Sequence, residues 1–184
     1  LDLANAAANQ LPEPAPLWAA NFPAWDQRQI YTSTASTAAG VTFDNFNNLT
    51  AAQQAALSSA EVMDYLRGKQ DGLEADKPIG FPLQTKGWRN RDTLLGTIVS
   101  STPLYSKAPN FAYQMKPAAG GGATYSQYVT DNKAGRRAAV YVGANDGMFH
   151  AFDGNPDKAQ GGGKELFAYV PRSAYRYMKE LTEG

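Results

Sequence analysis

The chain has 184 residues, with 17 Lys and Arg against 17 Asp and Glu, and it contains no cysteine. This length suits one compact domain, and the missing thiols exclude disulfides and thiolate metal sites. The balanced charge argues against broad electrostatic binding to nucleic acid or to an anionic membrane. No apolar run reaches the roughly 18 residues that a membrane span requires.

The composition favours Gly, Pro, Tyr, Thr, Ser, Asn and Ala over Lys and Glu, which is typical of loop-rich β proteins outside the cytosol. The first residues, Leu1-Asp2-Leu3, include no initiator Met and no basic or apolar leader. We therefore interpret the sequence as a processed or truncated chain.

Residues 1–48 are predicted to form an extended segment without a core of its own. Four prolines interrupt the first two dozen residues, and each removes a backbone donor. Large apolar side chains alternate with these prolines, and we expect them to lie on a neighbouring surface; they are Leu17, Trp18, Phe22 and Trp25.

Residues 49–93 are predicted to hold a helix and a linker that leads into the next unit. Thr50 with Gln53, and Ser58 with Glu61, both have the spacing of a capping box, so Thr50–Arg67 forms either two short helices or one helix with a kink. Apolar residues at helical spacing indicate a face that packs on a sheet; they are Leu57, Val62, Met63 and Leu66, with Tyr65 beside them. Gly68 stands where a left-handed residue ends a helix.

In the linker, Trp88 lies between polar residues and is followed by Arg89 and Arg91. An aromatic ring flanked by arginines is a possible base-stacking site. In a neutral chain an ion-paired surface turn is the favoured interpretation.

Residues 94–171 are predicted to form four antiparallel strands. The first lies at Ile98–Tyr105, with Pro103 at an edge or a bulge, and a long inserted loop at about 107–133 follows. The next three are Arg137–Ala144, Met148–Phe152 and Glu165–Val170, in which apolar residues alternate between faces. Residues 172–184 are predicted to be a loop or a short helix.

A four-stranded antiparallel meander of this kind is the unit blade of a β-propeller. Both faces of the predicted sheet are apolar, so one blade needs neighbours on each side. The predicted fold class is therefore mainly β with a short helical segment, a first blade of a β-propeller and a fragment of a larger one. The isolated chain is expected to be marginally stable or oligomeric.

The candidate polar residues in this region all have a structural interpretation. Asn145, Asp146 and Asp153 are predicted to bond to backbone in turns, with Gly147 supplying a positive φ. His150 is the single histidine of the chain, so a His-based metal site or a Ser-His-Asp triad lacks members. His150 is therefore expected to be a packed or partly exposed sheet residue.

The remaining candidates are hydroxyl and glycine clusters. Ser100, Ser101 and Thr102 have no base nearby and are interpreted as strand residues. Gly120–Gly122 and Gly161–Gly163 lack the Lys-Ser/Thr and the helix of a phosphate loop, so both are expected to be flexible loops. We predict no catalytic, cofactor-binding or metal-binding residue.

Five stretches of the chain together resemble a known family. They match, in order, the entry and first blade of the C-terminal β-propeller of the PilY1 family of type IV pilus tip adhesins and biogenesis factors. They are Tyr65–Gly68, Trp88–Arg91, Leu95–Tyr105, Val140–Asp153 and Glu165–Pro171. This resemblance implies that the propeller is of a modified, quinoprotein-like type.

The resemblance implies an exported, non-enzymatic protein of the periplasm, the outer-membrane surface or the pilus tip. It implies roles in pilus biogenesis, surface adhesion and twitching motility. The partners implied are minor pilins, the remainder of the same propeller, and host or abiotic surfaces, with no nucleic acid and no membrane span. The family's calcium loop belongs to later blades, so no cofactor is expected in this segment.

Two alternatives remain open at this stage. The glycine-rich turn Gly143–Gly147 also resembles repeats of quinoprotein dehydrogenases that bind pyrroloquinoline quinone, although a catalytic Asp, metal-binding carboxylates and a tryptophan platform cannot be located. The other alternative is a propeller scaffold in outer-membrane assembly.

Overall fold

A computed structural model describes residues 16–35, 40–69, 88, 89, 91, 93–107, 111–120, 122–133 and 135–182, and its centre is one six-stranded sheet. The strands are β1 (Ile30–Thr32), β2 (Val41–Thr42), β3 (Leu104–Ser106), β4 (Ala139–Gly143), β5 (Phe149–Asp153) and β6 (Glu165–Val170). Their order across the sheet is β2-β1-β6-β5-β4-β3. Neighbours from β3 to β6 are antiparallel, whereas β1 joins β6 in parallel and β2 joins β1 antiparallel.

The four-stranded meander predicted from the sequence is present as β3 to β6. β6 has the predicted bounds, and β4 and β5 differ from prediction by one or two residues at their ends. The first strand was placed too early, because Ile98–Tyr105 contributes only its last two residues to β3. Pro103 has no N–H to donate, and it directly precedes this strand, which is the outermost described strand on its side of the sheet.

The segment 1–48, predicted to be extended and loop-like, contributes two short strands to the sheet. Ile30–Thr32 forms β1, which lies beside β6 in the sheet, and Val41–Thr42 forms β2. Strands this short give almost no periodic signal, and the partner of β1 comes more than 130 residues later. Ile30 and Thr32 are buried against Ala168 and Val170, which explains why the strand forms.

Two short helices, α1 (Ala51–Leu57) and α2 (Ala60–Arg67), occupy the predicted helical region. Thr50 and Gln53 form the complete predicted capping box. The second cap lies one residue later than predicted, because Ser58 ends α1 with a φ of 73° and Ser59 accepts the Val62 N–H. Gly68 ends α2 in the left-handed conformation, as predicted.

The inserted segment at about 107–133 is helical rather than a loop. Its elements are single 3-10 turns at Tyr113–Met115 and Ala118–Gly120, the helix α3 (Gly122–Tyr128), and a π-helical turn at Val129–Lys133. They close around the Lys133 ammonium, which lies 4.7 Å from the Phe111 ring centroid and donates to the Tyr125 hydroxyl oxygen at 3.0 Å. A cation–π cluster gives no apolar periodicity, so the sequence pattern did not indicate it.

One face of the sheet, the helix-covered face, forms the main core of the described residues. α1 and α2 lie over it together with α4 (Tyr175–Met178), a short helix in the region predicted to be a loop or a short helix. The buried apolar side chains of this core are Ile30, Phe43, Leu49, Leu57, Val62, Met63, Tyr65, Leu66, Met148, Ala168, Val170, Tyr175 and Met178.

The opposite face, the aromatic face, carries large rings that stay partly open to solvent. The strand register places two cross-strand rows on it, Tyr31-Tyr169-Phe149 and Phe167-Ala151-Tyr141-Leu104. Phe149 is 39% exposed and Leu104 is 64% exposed. The expectation that this face needs an outside neighbour stays a prediction, whereas the chain covers much of the other face with its own helices.

Candidate functional site

A continuous chain of buried charged side chains crosses the sheet at the ends of β5 and β6. Arg28 donates from Nε to Glu165 Oε2 at 2.7 Å and from Nη2 to Oε1 at 2.8 Å. Glu165 Oε1 also lies 2.9 Å from His150 Nδ1, and His150 Nε2 lies 3.0 Å from Asp146 Oδ2. The four side chains therefore form an Arg–Glu–His–Asp series in which each charge contacts the next.

Four separate elements position this charge chain. Arg28 precedes β1, Glu165 opens β6, His150 lies on β5, and Asp146 is in the turn between β4 and β5. Arg28 also donates from Nη1 to the carbonyl oxygen of Arg67 at the end of α2, at 2.7 Å. The charge chain thus connects the N-terminal segment and the helix pair to the blade.

Aromatic rings enclose the centre of the charge chain. His150 is fully buried, with the Phe22 ring edge-on at 6.0 Å and the Phe152 ring stacked at 5.7 Å between centroids. The Arg28 guanidinium lies over the Phe22 ring at 5.0 Å. Because these rings exclude water, the charged groups depend on one another for stabilisation.

The pKa values of the two carboxyl groups are set by burial and by their partners. Burial alone would raise the pKa of Asp146, but hydrogen bonding to His150, the His150 charge and the Gly96 and Met148 amides outweigh burial and lower it. Burial acts on Glu165 in the same sense, and its hydrogen bonds with Arg28 and His150 again lower the pKa. Both groups are therefore carboxylates at neutral pH.

The pKa of His150 moves in the opposite direction. Burial disfavours the charged ring, but the hydrogen bonds with Asp146 and Glu165, together with their negative charges, raise the pKa above its ordinary value. His150 is therefore stabilised as the imidazolium.

At its outer end the charge chain borders an open cleft of about 480 Å³. Arg91 lies over the Tyr65 ring at 4.2 Å and donates to the Tyr65 carbonyl. Burial lowers the pKa of Arg91, and Tyr65 and Asp146 oppose that effect. The cleft is lined by Arg89, Arg91, Thr93, Leu94, Leu95, Gly96, Thr97, Asn145, Asp146 and Leu181.

The predicted turn at Asn145–Gly147 is present, and the Asp146 carboxylate in it makes contacts beyond the turn. Asp146 Oδ1 accepts the Met148 N–H at 3.0 Å, which confirms the turn bond, and Gly147 has a φ of 83°. Asp146 Oδ2 also accepts the Gly96 N–H at 3.0 Å and contacts His150. The turn prediction is correct, but the ion pair was not anticipated.

His150 is packed in the sheet, as predicted, but its two carboxylate partners were missed. Asp146 lies four residues before it, a spacing that carries no special meaning on a strand. Glu165 and Arg28 were not selected from the sequence at all. The one available signal was an acidic residue at the start of an otherwise apolar strand, which indicates a buried partner.

Asp153 closes the following turn as predicted, since its Oδ1 accepts the Asn155 N–H at 2.9 Å. Its other oxygen pairs with Arg137 Nε at 2.8 Å. Asn155 and Asp157 continue the series, each accepting the amide two residues on. Among the described residues, no group of three or more His, Cys, Asp or Glu could hold a metal ion.

The hydroxyl and glycine clusters depart from prediction. Ser100, Ser101 and Thr102 lie outside the strands, and Ser101 Oγ accepts the Gly143 N–H at 3.0 Å. Gly161–Gly163 forms a hydrogen-bonded turn before β6 rather than a flexible loop. Gly122, the last glycine of the other cluster, begins α3. Local hydrogen bonds determine the backbone structure at these positions, and glycine content alone does not predict that structure.

The described residues Trp88, Arg89 and Arg91 pack against α2, whereas the predicted turn includes Asn90, which lies outside the described residues. The Trp88 ring lies edge-on to Tyr65, with centroids 5.3 Å apart, and Arg91 covers the same tyrosine. The Tyr65 hydroxyl donates to the Arg89 carbonyl at 2.7 Å.

No helix among the described residues has the length and apolar character needed to cross a membrane.

Comparison with known proteins gives consistent matches. The family model described as the PilY1 beta-propeller domain matches residues 95–183. A type IV pilus biogenesis factor PilY1 homolog of Xylella fastidiosa is 39% identical over 168 residues, covering 91% of this chain and 12% of the relative. The type IV pilus biogenesis factor PilY1 of Pseudomonas aeruginosa is 36% identical over 96 residues, covering 52% of this chain and 8% of the relative.

The chain thus spans about an eighth or less of the length of these relatives. No solved structure matches it significantly. The family model covers β3 to β6, α4 and the part of the cleft lining from Leu95 onward. The matched range therefore includes His150, Asp146 and Glu165. From the matched meander and the named relatives, we conclude that the chain belongs to the PilY1 beta-propeller domain family.

Proposed function

We propose that this chain is the first blade region of a larger propeller, and that it serves as a non-catalytic interaction module of a type IV pilus tip-associated protein. In this role it supports pilus biogenesis, surface adhesion and twitching motility. The whole protein is exported to the periplasm, the outer-membrane surface or the pilus tip. Its partners are minor pilins and host or abiotic surfaces, and calcium binds to later blades.

The observation that carries this proposal is the aromatic face. Tyr141 and Phe149 stack at 5.8 Å between centroids with their planes 8° apart, and Phe167 lies 6.5 Å from Tyr141. Phe149 remains 39% exposed. Rings on one face of an antiparallel meander are suited to packing against a second sheet, and an exposed patch of this kind marks an interaction surface. We assign this face to the contact with the next blade.

The test replaces both stacked rings in the full-length protein, as Tyr141→Ser with Phe149→Ser. We expect fewer surface pili and reduced twitching, because the blade contact loses its apolar area. Met115→Ser is the matched control, since Met115 is 83% exposed on the insertion and away from this face. The same pair of substitutions in the isolated chain tests folding, since the face is open there. Normal piliation in the double variant would contradict the proposal.

The two alternatives give different outcomes. A quinoprotein dehydrogenase requires a bound quinone, so the absorbance spectrum of the purified full-length protein distinguishes it from a pilus module. An outer-membrane assembly scaffold predicts normal twitching when the protein is deleted and defects in outer-membrane proteins instead. Loss of twitching without a quinone spectrum is the result that we expect.

A further inference from the structure

The ring of His150 has a carboxylate oxygen at each of its two nitrogens. Nδ1 lies 2.9 Å from Glu165 Oε1, and Nε2 lies 3.0 Å from Asp146 Oδ2. A neutral imidazole has one N–H and one bare lone pair, whereas an ionised carboxylate only accepts hydrogen bonds. Both contacts can be hydrogen bonds only when both ring nitrogens carry protons.

The neighbouring charges agree with this protonation. Glu165 is already paired with Arg28 through two hydrogen bonds, so it is ionised. Beyond Asp146 lies Arg91, whose guanidinium donates to the Tyr65 carbonyl. Among the described residues, the ring also contacts the uncharged aromatic side chains of Phe22 and Phe152. With His150 protonated, the four-residue charge chain has two positive and two negative charges.

We propose that His150 is a buried imidazolium that works as a proton-dependent latch, holding the β4–β5 turn and the Gly96 segment on the sheet and releasing them when its Nε2 proton is lost at alkaline pH. The latch is a property of this chain alone and does not depend on the proposed pilus role.

The geometry decides which contact opens. Glu165 is fixed from both sides, because Arg28 holds both of its oxygens and its side chain is almost fully buried. Asp146 borders the open cleft, so water can replace His150 as its partner. A neutral ring therefore keeps its proton on Nδ1 toward Glu165. The bare Nε2 then faces the Asp146 carboxylate, and the two lone pairs repel each other.

The Gly96 contact makes this opening larger than one side chain. Asp146 Oδ2 accepts both His150 Nε2 and the Gly96 N–H, and Asp146 Oδ1 accepts the Met148 N–H. A Cβ on Gly96 would come within 2.3 Å of the Asp146 amide nitrogen, so the two backbones are in direct contact. Movement of Asp146 therefore disturbs the wall of the cleft.

Because the chain has a single histidine, nitrogen NMR of the uniformly labelled 184-residue chain reports this ring without assignment. We expect both ring nitrogens to be protonated at pH 7 and the ring to titrate above the ordinary histidine value, with Nε2 losing its proton. The Gly96 and Met148 amides should lose exchange protection over the same pH range. The Gly143 amide, bonded to Ser101 Oγ, is the control and should not follow the titration.

Asp146→Asn is the sharpest variant, since it removes the charge while the amide oxygen can still accept one of the two N–H groups, that of Gly96 or that of Met148. We expect its histidine titration to shift downward relative to wild type. Asp131→Asn, at an exposed carboxylate on the insertion, should leave the titration unchanged. If Asp146→Asn does not fold, the wild-type spectrum still decides the protonation.

Three results would overturn the latch. The first is a neutral tautomer of His150 at pH 7, and the second is a titration within the ordinary range. The third is protection of the Gly96 amide that persists after the ring has lost its proton. The first two reject the imidazolium, and the third rejects its link to the turn.

Discussion

Arg28 and Glu165 are 137 residues apart in the sequence, yet the guanidinium holds both oxygens of the carboxylate, at 2.7 and 2.8 Å. The two side chains are 2% and 1% exposed. A parallel two-point contact of this kind is among the stronger ion pairs in proteins. It ties the segment before β1 to the start of β6, so the stability of these two regions is coupled.

Arg28→Met is expected to lower the free energy of unfolding by about 3–5 kcal/mol, because it leaves Glu165 buried without its cationic partner. Urea denaturation followed by circular dichroism measures this change. The matched control is Lys69→Met, which removes the more exposed Lys69–Asp64 pair and is expected to cost about 1 kcal/mol or less. An equal loss of unfolding free energy in the two variants would show that the buried Arg28–Glu165 pair contributes no more than the exposed pair.

Acid should unfold the chain through Asp146 and Glu165. Both have folded pKa values below their ordinary values of 3.8 and 4.5. Their contribution to stability is therefore present above those ordinary values and is lost as the pH falls through the lowered folded values. Urea midpoints measured from pH 7 down to pH 2 should show this loss, and Asp146→Asn should flatten part of it. A profile with no dependence on pH below 4.5 would contradict the assignment.

Tyr175 should limit stability at high pH. Burial raises the pKa of Tyr175 to about 12, although its hydrogen bond with Thr32 opposes that effect. Because the unfolded phenol ionises near 10.0, stability is expected to fall as the pH rises from about 10 toward 12. Tyr175→Phe removes this loss, at a cost near neutral pH of about 1 kcal/mol from the hydrogen bond to Thr32 Oγ1. The difference in urea midpoint between the two proteins should shrink or change sign across that range.

Gly96→Ala is expected to separate the backbone at Gly96, which lines the cleft, from the β4–β5 turn. A Cβ at Gly96 would lie 2.3 Å from the Asp146 nitrogen, which is too close for any backbone contact. We expect a destabilisation of about 1–3 kcal/mol, as for other overpacked sites, together with loss of Met148 amide protection, because the acceptor of that amide is Asp146. Gly135→Ala is the control, because no atom lies within 4 Å of its Cβ position. Similar melting temperatures for the two variants would refute the close contact.

The isolated chain is expected to self-associate through the aromatic face. Sedimentation at rising concentration should show dimers or larger species, and Tyr141→Ser with Phe149→Ser should shift the chain toward monomer. A wild-type chain that stays monomeric at high concentration would argue that this face does not bind apolar surfaces.

The sequence was most informative where the pattern is local. Alternation across Glu165–Val170 and the turn at Asn145–Gly147 identified the meander, and Thr50 with Gln53 identified the start of α1. Each of these signals depends on residues within a few positions of one another. The four-part division at 1–48, 49–93, 94–171 and 172–184 stays a prediction.

The charge chain could not be predicted, because its members come from separate elements and Arg28 lies 137 residues before Glu165. Arg28 has no neighbour in sequence that marks it as buried, and Glu165 looks like a strand-end surface residue until β1 is placed beside β6. The choice of a packed histidine for His150 was correct, but a single His gives no indication of which acids surround it. The insertion was missed for a related reason, since Lys133 replaces an apolar core there.

The parallel pairing of β1 with β6 has a consequence for how the chain acquires its structure during synthesis. Ile30–Thr32 leaves the ribosome early, but its partner strand ends at Val170. Until then the segment has no strand on that side, and Arg28 has no counter-ion in Glu165. Contacts that close so late along a chain slow folding and leave sheet edges open meanwhile. We therefore expect β1 to dock on β6 late in folding, and its edge to stay open to other strands until then.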